Sequence, residues 1–269
     1  MEDVTNDTIV SNADTSPVSE TPETVEENIG LSTESAQKKA KVKKKRPAGD
    51  FLRSESQIKK RDEIKKSVKS FLPILAQAKG RNANESDTGN IVHKFFQDVL
   101  GWDFMDITSE YKIKSTYCDL AIKVDGDILL LIEVKAIGLN LKEEHLTQAS
   151  NYAANEGVKF VVLTNGEQYR LYHVGLSDKI NVSMVFELNL GGELTAEDYT
   201  ELYLLSKYSL TKGQIEDYWD QEQTLNPDNL VEALMSDEVM NAMVKYFRTN
   251  FEIKIDAANI KSRVEGLLK

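Results

Sequence analysis

Two segments in the first half of the chain place apolar residues at helical spacing. Between Phe51 and Lys79 the apolar positions recur three, four or seven residues apart, with Lys and Arg on the opposite side. Pro73 is expected to kink or split this stretch. A second apolar stripe covers residues 91–100, and Gly101 is expected to end it. The pattern therefore predicts two amphipathic helices.

Short strand-like runs follow these helices. The predicted strands cover 111–114, 117–124, 128–136, 159–164, 168–174 and 182–190. Asp125-Gly126 is a strong hairpin turn, and Asn165-Gly166 predicts a second tight turn.

Helical spacing returns twice. One helix is predicted over 141–156, with Asn140 as N-cap, Glu143 as its capping-box partner and Gly157 as the stop. From Ala196 onward the pattern predicts three or four helices. Their candidate caps are Thr195, Thr211, Ser236 and Asp256.

These elements predict an α/β fold in which helices flank a mixed central sheet. The expected organisation is a tail over 1–50, an α/β domain over 51–190 and a helical C-terminal extension over 191–269.

Composition narrows the class of protein. The longest apolar run, Ile128 to Ile132, is far shorter than the roughly 20 residues of a membrane helix. Met1 is followed by acidic residues, so no signal peptide is expected, and the single cysteine, Cys118, suits a reducing cytoplasm. One cysteine and three histidines argue against structural zinc.

The net charge of −11 argues against simple coating of nucleic acid, but the charge is unevenly distributed. Residues 1–37 carry nine acidic residues and no Lys or Arg, and their composition predicts disorder. Residues 38–46 then hold seven basic residues. This basic run is interpreted as a solvated charge block, a non-specific phosphate-binding arm or a targeting signal.

The candidate chemistry lies in the hairpin. Asp119 stands in an apolar strand, and Glu133-Val134-Lys135 follows five apolar residues. Glu133 and Lys135 are two residues apart and share a face of the strand. Asp119 and Glu133 could ligate Mg²⁺, and Lys135 could orient or help deprotonate water, or offset charge on a phosphate. The alternative is a surface ion pair on a solvated strand.

Strand register provides a test of this site. A plain two-residue turn at Asp125-Gly126 would pair Asp119 with Ile132 and put Glu133 on the other face. Joint metal binding requires Asp119 opposite Glu133. The hypothesis therefore predicts a three-residue loop or a β-bulge in this hairpin.

The run Asp119…Glu133-Val134-Lys135 resembles the PD-(D/E)XK signature of restriction-endonuclease-like nucleases. The elements after it, Gln148–Tyr152 on a helix and Phe160–Gly166 on a strand and turn, extend the likeness. The whole of 84–174 resembles the N-terminal nuclease domain of type I restriction enzyme R subunits, in a stand-alone form. The resemblance implies a restriction-endonuclease-like core. Cys118 replaces the proline of the signature, and the chain has no G-x-x-x-x-G-K-[ST] loop for a helicase motor.

The resemblance also implies three flanking site residues. Glu85 matches an acidic residue that the family's first helix supplies to the metal, and Gln148 and Tyr152 match a Gln-x-x-x-Tyr motif near it. Each has another interpretation. Glu85 could complete a capping box with Asn82, Gln148 could be a satisfied polar residue, and Tyr152 could be core packing.

The predicted function is hydrolysis of DNA phosphodiester bonds with Mg²⁺ or Mn²⁺, in a restriction or defence setting, with other restriction subunits as partners. Cutting both strands with one site per chain would call for a homodimer. A catalytically silent module that binds DNA or protein is the main alternative, and an RNA-directed nuclease is a third. The aromatic C-terminal helices could pack internally or form a partner surface.

Overall fold

The structure, a computed structural model, describes residues 51–113, 116–176 and 180–268. The predicted tail over 1–50, with its basic run, lies outside these residues, as does Lys114 of the predicted first strand. Within the described ranges, no helix is long and apolar enough to cross a membrane.

Six strands form one mixed sheet, in which the spatial order follows the chain order. The strands are β1 (Ile107–Ile113), β2 (Thr116–Val124), β3 (Asp127–Val134), β4 (Phe160–Thr164), β5 (Gln168–Leu176) and β6 (Ile180–Asn189). Neighbours are antiparallel except β3 and β4, which run parallel. A parallel pair needs a crossover, and a helix supplies it here.

The helices account for most of the remaining described residues. They are α1 (Glu55–Gly80), α2 (Glu85–Asp98), α3 (Leu146–Glu156), α4 (Ala196–Leu204), α5 (Lys207–Leu210), α6 (Gln214–Thr224), α7 (Pro227–Leu234), α8 (Asp237–Phe251) and α9 (Ala257–Leu268). Two short 3₁₀ turns lie at Phe104–Asp106 and Glu143–His145.

The sheet is buried on both faces, so β3 and β4 are nearly continuous apolar runs. Alternate residues of β3 belong to different cores: Leu130 and Ile132 pack with α1, α2 and α4 to α6, whereas Leu131 packs with α3. The main core is thus on one face, and α3, the crossover helix, covers the other. A third, small cluster holds α8 and α9 together through Met240, Ile260 and Val264.

The first helices of the C-terminal region are part of the main core. Leu202, Tyr203 and Leu204 of α4 are fully buried in it. The indole Nε1 of Trp102 donates a hydrogen bond to the carbonyl of Leu205 at 3.0 Å. The backbone N–H of Lys207 donates to the carbonyl of Leu100 at 3.1 Å. These contacts fasten the end of α2 to the α4–α5 junction.

Several predicted helix boundaries are wrong. Pro73 does not split α1, which continues to Gly80 because Phe71 and Leu75 on either side of it are buried in the core. Asn140 does not cap α3, because the 3₁₀ turn intervenes and the helix begins at Leu146. Gly157 ends α3 in a left-handed conformation, as predicted.

The C-terminal region contains six helices among the described residues rather than three or four. Ser206 and Asn226, which were not predicted as caps, each begin a further helix through a side-chain oxygen that accepts from the backbone. Thr195 and Ser236 are confirmed as N-caps, and the Asp256 carboxylate accepts from the N–H of Asn259 in the same manner. Thr211 instead lies at the end of α5.

Candidate active site

A β-bulge sets the register of the hairpin between β2 and β3. Beside the turn, Val124 pairs with Asp127 and Lys123 with Ile128. The register then shifts by one, so that Leu120 pairs with Ile132. The predicted bulge is confirmed. Carried one pair further, this register puts Asp119 across from Glu133, on one face of the sheet.

Lys135 contacts the Glu133 carboxylate directly. Its Nζ donates to Glu133 Oε1 at 2.7 Å. Glu133 is only 7% exposed, and the backbone N–H of Lys135 donates to the carbonyl of Thr164 at 2.8 Å, which fixes this end of β3 against β4. The pair is therefore not the solvated surface ion pair that was the alternative interpretation.

Glu85 reaches the same ammonium group from the start of α2. Its Oε1 lies 3.3 Å from Lys135 Nζ, although half of its side chain is exposed. Asn84 is the N-cap, with its side chain accepting from the N–H of Asp87, so the capping box between Asn82 and Glu85 is wrong. Asn82 has a positive φ and lies outside the helix.

Thr88 attaches the first turn of α2 to this edge of the sheet. Its buried hydroxyl accepts from the N–H of Ile137 at 3.1 Å and donates to the carbonyl of Asn84 at 2.7 Å. The carbonyl of Ala83 also accepts from Ile137 at 3.3 Å. Glu85 is consequently held beside the end of β3, although it is 48 residues before Glu133 in the chain.

A hydrogen bond from the backbone of β3 fixes the side chain of Asp119. Its Oδ2 accepts from the N–H of Val134 at 2.7 Å. Burial raises the pKa of this carboxyl above its ordinary value, and the charges of Glu85 and Glu110 add to the rise, outweighing the Val134 hydrogen bond and the charge of Lys135.

The pKa of Glu133 is also raised, first by burial and then by the charges of Asp119 and Glu85, against the hydrogen bond from Lys135. Burial lowers the pKa of Lys135, but its hydrogen bond to Glu133 and the charges of three carboxylates outweigh burial, so the net direction is upward. Lys135 is accordingly an ammonium at neutral pH.

The neighbouring thiol is not a nucleophile. Cys118 is fully buried, and its Sγ lies 3.3 Å from the carbonyl oxygen of Ile132. Burial, with the charge of Glu133 next, raises the pKa of this thiol to about 12. A protonated, enclosed thiol packs as a small apolar group.

Sequence reasoning missed Glu110. Ser109 pairs with Leu120 and Tyr111 with Cys118, so Glu110 lies across from Asp119 on β1. It is exposed and has φ +49°, a left-handed conformation that is uncommon outside glycine. The signal that could have found it is the register of the β1–β2 hairpin, whose turn has no diagnostic residue pair.

The two predicted residues of α3 have different surroundings. Tyr152 is buried in the core between α3 and the sheet, together with Leu131 and Leu163. Gln148 lies one turn earlier on the same helix and is exposed. Packing therefore explains Tyr152, and a role in chemistry for either residue stays a prediction.

The donor chemistry of Asp119, Glu133 and Glu85 suits a hard cation such as Mg²⁺, which prefers carboxylate oxygens. However, within the described residues no group of three or more His, Cys, Asp or Glu side chains is placed closely enough to hold a metal ion. The ammonium of Lys135 lies between Glu133 and Glu85 instead. The residues fit the metal chemically, and the two contacts of Lys135 involve only the Oε1 atom of Glu133 and of Glu85.

One comparison with known proteins gave a match. Residues 89–185 match the family model described as type I restriction enzyme R protein N terminus. The expected resemblance to that domain is confirmed over this range, which contains Asp119, Glu133, Lys135, Gln148 and Tyr152 but begins four residues after Glu85. Searches of curated proteins and of solved structures found no match.

Proposed function

We propose, from the family match over residues 89–185 and the geometry of the hairpin, that this chain hydrolyses DNA phosphodiester bonds at a PD-(D/E)XK site on a restriction-endonuclease-like core. The observation that carries the proposal is the bulge between β2 and β3, whose register, continued one pair beyond Leu120 and Ile132, would set Asp119 opposite Glu133, together with the bond from Lys135 to Glu133. A buried apolar strand has no structural need for such a pair of charged residues.

Asp119 and Glu133 would hold Mg²⁺ or Mn²⁺, with Glu85 as a third oxygen donor. When bound, the metal lowers the pKa of a water molecule and offsets negative charge on the phosphate. Glu133 and Asp119 have raised pKa values because each ionises in a buried, acidic setting, and a divalent cation would relieve that repulsion.

Lys135 would act as a fixed positive charge. Its raised pKa keeps it protonated at neutral pH, so it is suited to stabilise charge on the pentacovalent phosphate or to orient the attacking water rather than to remove a proton. Of the three roles considered from the sequence, removal of a proton therefore has the least support.

The biological setting belongs to the same proposal. The family match supports a restriction-type role, in the cytoplasm, with other restriction subunits as partners. Motor-driven translocation is not proposed, because the 269 residues contain no G-x-x-x-x-G-K-[ST] loop. A homodimer is proposed on mechanistic grounds alone, as the means of cutting both strands.

A plasmid-nicking assay with Mg²⁺ or Mn²⁺ tests the proposal. Asp119→Ala and Lys135→Ala should each lower the rate by about 100-fold or more, since the first removes a metal ligand and the second removes a positive charge at the reacting phosphate. Lys94→Ala is the matched control, because Lys94 pairs with Asp98 at 2.6 Å on an exposed helix face and should leave the rate unchanged. Activity retained in both site variants would reject the site.

The second candidate is a catalytically silent module that binds DNA. Two observations favour it: Lys135 already neutralises Glu133, and no three-ligand metal group is formed among the described residues. Tight DNA binding by the wild type, with no cleavage in either metal, would establish this candidate in place of the first.

A further inference from the structure

Among the described helices and strands, α1 has a marked local excess of basic over acidic residues. Helix α1 carries seven Lys and Arg residues against three acidic ones. From residue 81 to 268 the balance is reversed, with 17 basic and 31 acidic residues. A strongly local excess of positive charge on an acidic protein marks a surface for an anionic partner.

Three lysines of α1 form a row on its solvent side, opposite the core-facing residues Ile64, Val68 and Phe71. Lys59, Lys66 and Lys69 are all exposed, and they follow the spacing of seven and three residues that keeps side chains on one face of a helix. We call Lys59, Lys66 and Lys69 the α1 lysine row.

Two of the three acidic residues of α1 pair with basic residues outside the row. Asp62 pairs with Arg61 at 2.9 Å, and Glu63 pairs with Lys60 at 3.2 Å. Within the described part of the chain, no carboxylate forms an ion pair with a member of the α1 lysine row. The row therefore presents its charge to solvent.

Helix α1 ends at the edge of the sheet where the candidate active site lies. Near its C-terminus, Lys79 pairs with Glu167, in the turn after β4, at 2.7 Å. Four residues separate the end of α1 from Glu85, the first residue of α2. A polymer bound along α1 would thus continue toward the end of the sheet at which Glu85 meets Lys135.

We propose that the α1 lysine row binds the phosphate backbone of duplex DNA on one side of the bond to be cut. The inference rests on the proposed function for its choice of substrate. Ten residues of helix separate Lys59 from Lys69, about 15 Å at about 1.5 Å per residue. Measured along the axis of duplex DNA, that length covers about four phosphates of one strand, because the rise per phosphate is about 3.4 Å. The row has the charge, the spacing and the position to hold the backbone without reading base sequence.

Fluorescence anisotropy of a labelled DNA duplex, titrated with the full chain in EDTA over a range of salt concentrations, tests this surface. Replacing Lys59, Lys66 and Lys69 with Gln should reduce the slope of log K against log salt by about 3, since each phosphate contact contributes about 0.9. The same triple replacement with Arg keeps the charge and should keep both slope and affinity.

The matched control replaces Lys159, Lys245 and Lys254, three exposed lysines outside α1, with Gln. It makes the same change in net charge and should leave the slope unchanged. Both Gln variants retain the basic run at 38–46, so any contribution from that run cancels in the comparison. Circular dichroism and thermal melting establish that each variant is folded.

An unchanged slope in the α1 variant, an equal fall in both Gln variants, or no DNA binding by the wild type would overturn the proposal. The first of these is also the result expected if α1 serves an acidic protein partner. Because binding is measured without metal, the result is independent of cleavage. A catalytically silent chain that loses DNA on Lys-to-Gln replacement in α1 would refute the proposed hydrolysis and leave this surface intact.

Discussion

The ion pair between Lys135 and Glu133 should contribute far more to stability than its counterpart on the protein surface. The two charged atoms are 2.7 Å apart, and their side chains are 16% and 10% exposed. At this distance and an effective dielectric constant of about 20, the attraction is about 6 kcal/mol. Removal of water from both groups offsets much of it, so the pair adds less to the free energy of unfolding than this figure.

Removing Lys135 alone should lower stability by more than the net contribution of the pair, because it leaves the Glu133 carboxylate charged, buried and without its partner. We predict that Lys135→Met lowers the free energy of unfolding at neutral pH by about 3 kcal/mol, the lower end of the loss for a buried pair. Glu85 also loses its contact with Lys135, but it is half exposed and adds little.

Urea unfolding followed by circular dichroism measures this loss. The matched control is Lys94→Met, which breaks an ion pair of similar length, 2.6 Å, whose side chains are about half exposed. It should cost less than about 1 kcal/mol. The double variant Lys135→Met/Glu133→Gln should be more stable than Lys135→Met, because it leaves no unpaired carboxylate.

Equal losses in Lys135→Met and Lys94→Met would refute the reasoning, since they would mean that burial does not strengthen the inner pair. A double variant no more stable than Lys135→Met would refute it as well, because the cost would then come from lost packing of the lysine chain and not from an isolated charge.

Three further predictions concern the same edge of the sheet. Asp119→Asn should stabilise the fold above about pH 4, because a carboxyl with a raised pKa contributes stability below its ordinary value of 3.8 that is lost as pH rises through the folded value. Addition of Mg²⁺ should raise the melting temperature of the wild type, and Asp119→Asn should abolish that rise, if Asp119 is a ligand. Gly166→Ala should cost about 1 kcal/mol more than Gly157→Ala. Both glycines have positive φ, but the new Cβ at 166 would lie 3.2 Å from Thr88 Cγ2, whereas at 157 it would meet nothing within 4 Å.

Each of these has a contrary outcome. A stability gain in Asp119→Asn that persists at pH 3 would point to a cause other than ionisation. A melting temperature that Mg²⁺ raises equally in wild type and variant would place the cation elsewhere. Equal losses in the two glycine variants in urea unfolding would show that Thr88 moves aside freely.

The strands were predictable because their residues alternate between two buried faces. The expectation of a bulge or a longer loop in the hairpin followed from a chemical requirement, that Asp119 and Glu133 share a face. The position of the bulge, at Leu129, has no local signal in the sequence. That one constraint gave the register of the central hairpin, which the Asp125-Gly126 turn by itself would have set incorrectly.

Other features depend on contacts between distant parts of the chain. The N-cap of α2 is Asn84 and not Asn82, the residue considered from the sequence, because Thr88 and Ala83 bond to Ile137 at the sheet edge. Glu110 reaches the site through strand pairing alone. Neither contact is associated with a periodic pattern of apolar residues, so neither could be predicted from the spacing of residues in the sequence.

The bond between Trp102 and Leu205 has a consequence for the protein during its synthesis. The helix that presents Glu85 ends against a backbone carbonyl more than 100 residues later, in a region whose leucines fill the main core. A nascent chain that has emerged only as far as β6 already contains every candidate catalytic residue and the Ile137 bonds that hold the first turn of α2, but it lacks the contacts that fasten the other end of this helix. The start of α2 therefore has its anchor beside Lys135 before the C-terminal helices are made, whereas the far end of α2 is fixed only once Leu205 and Lys207 have been synthesised.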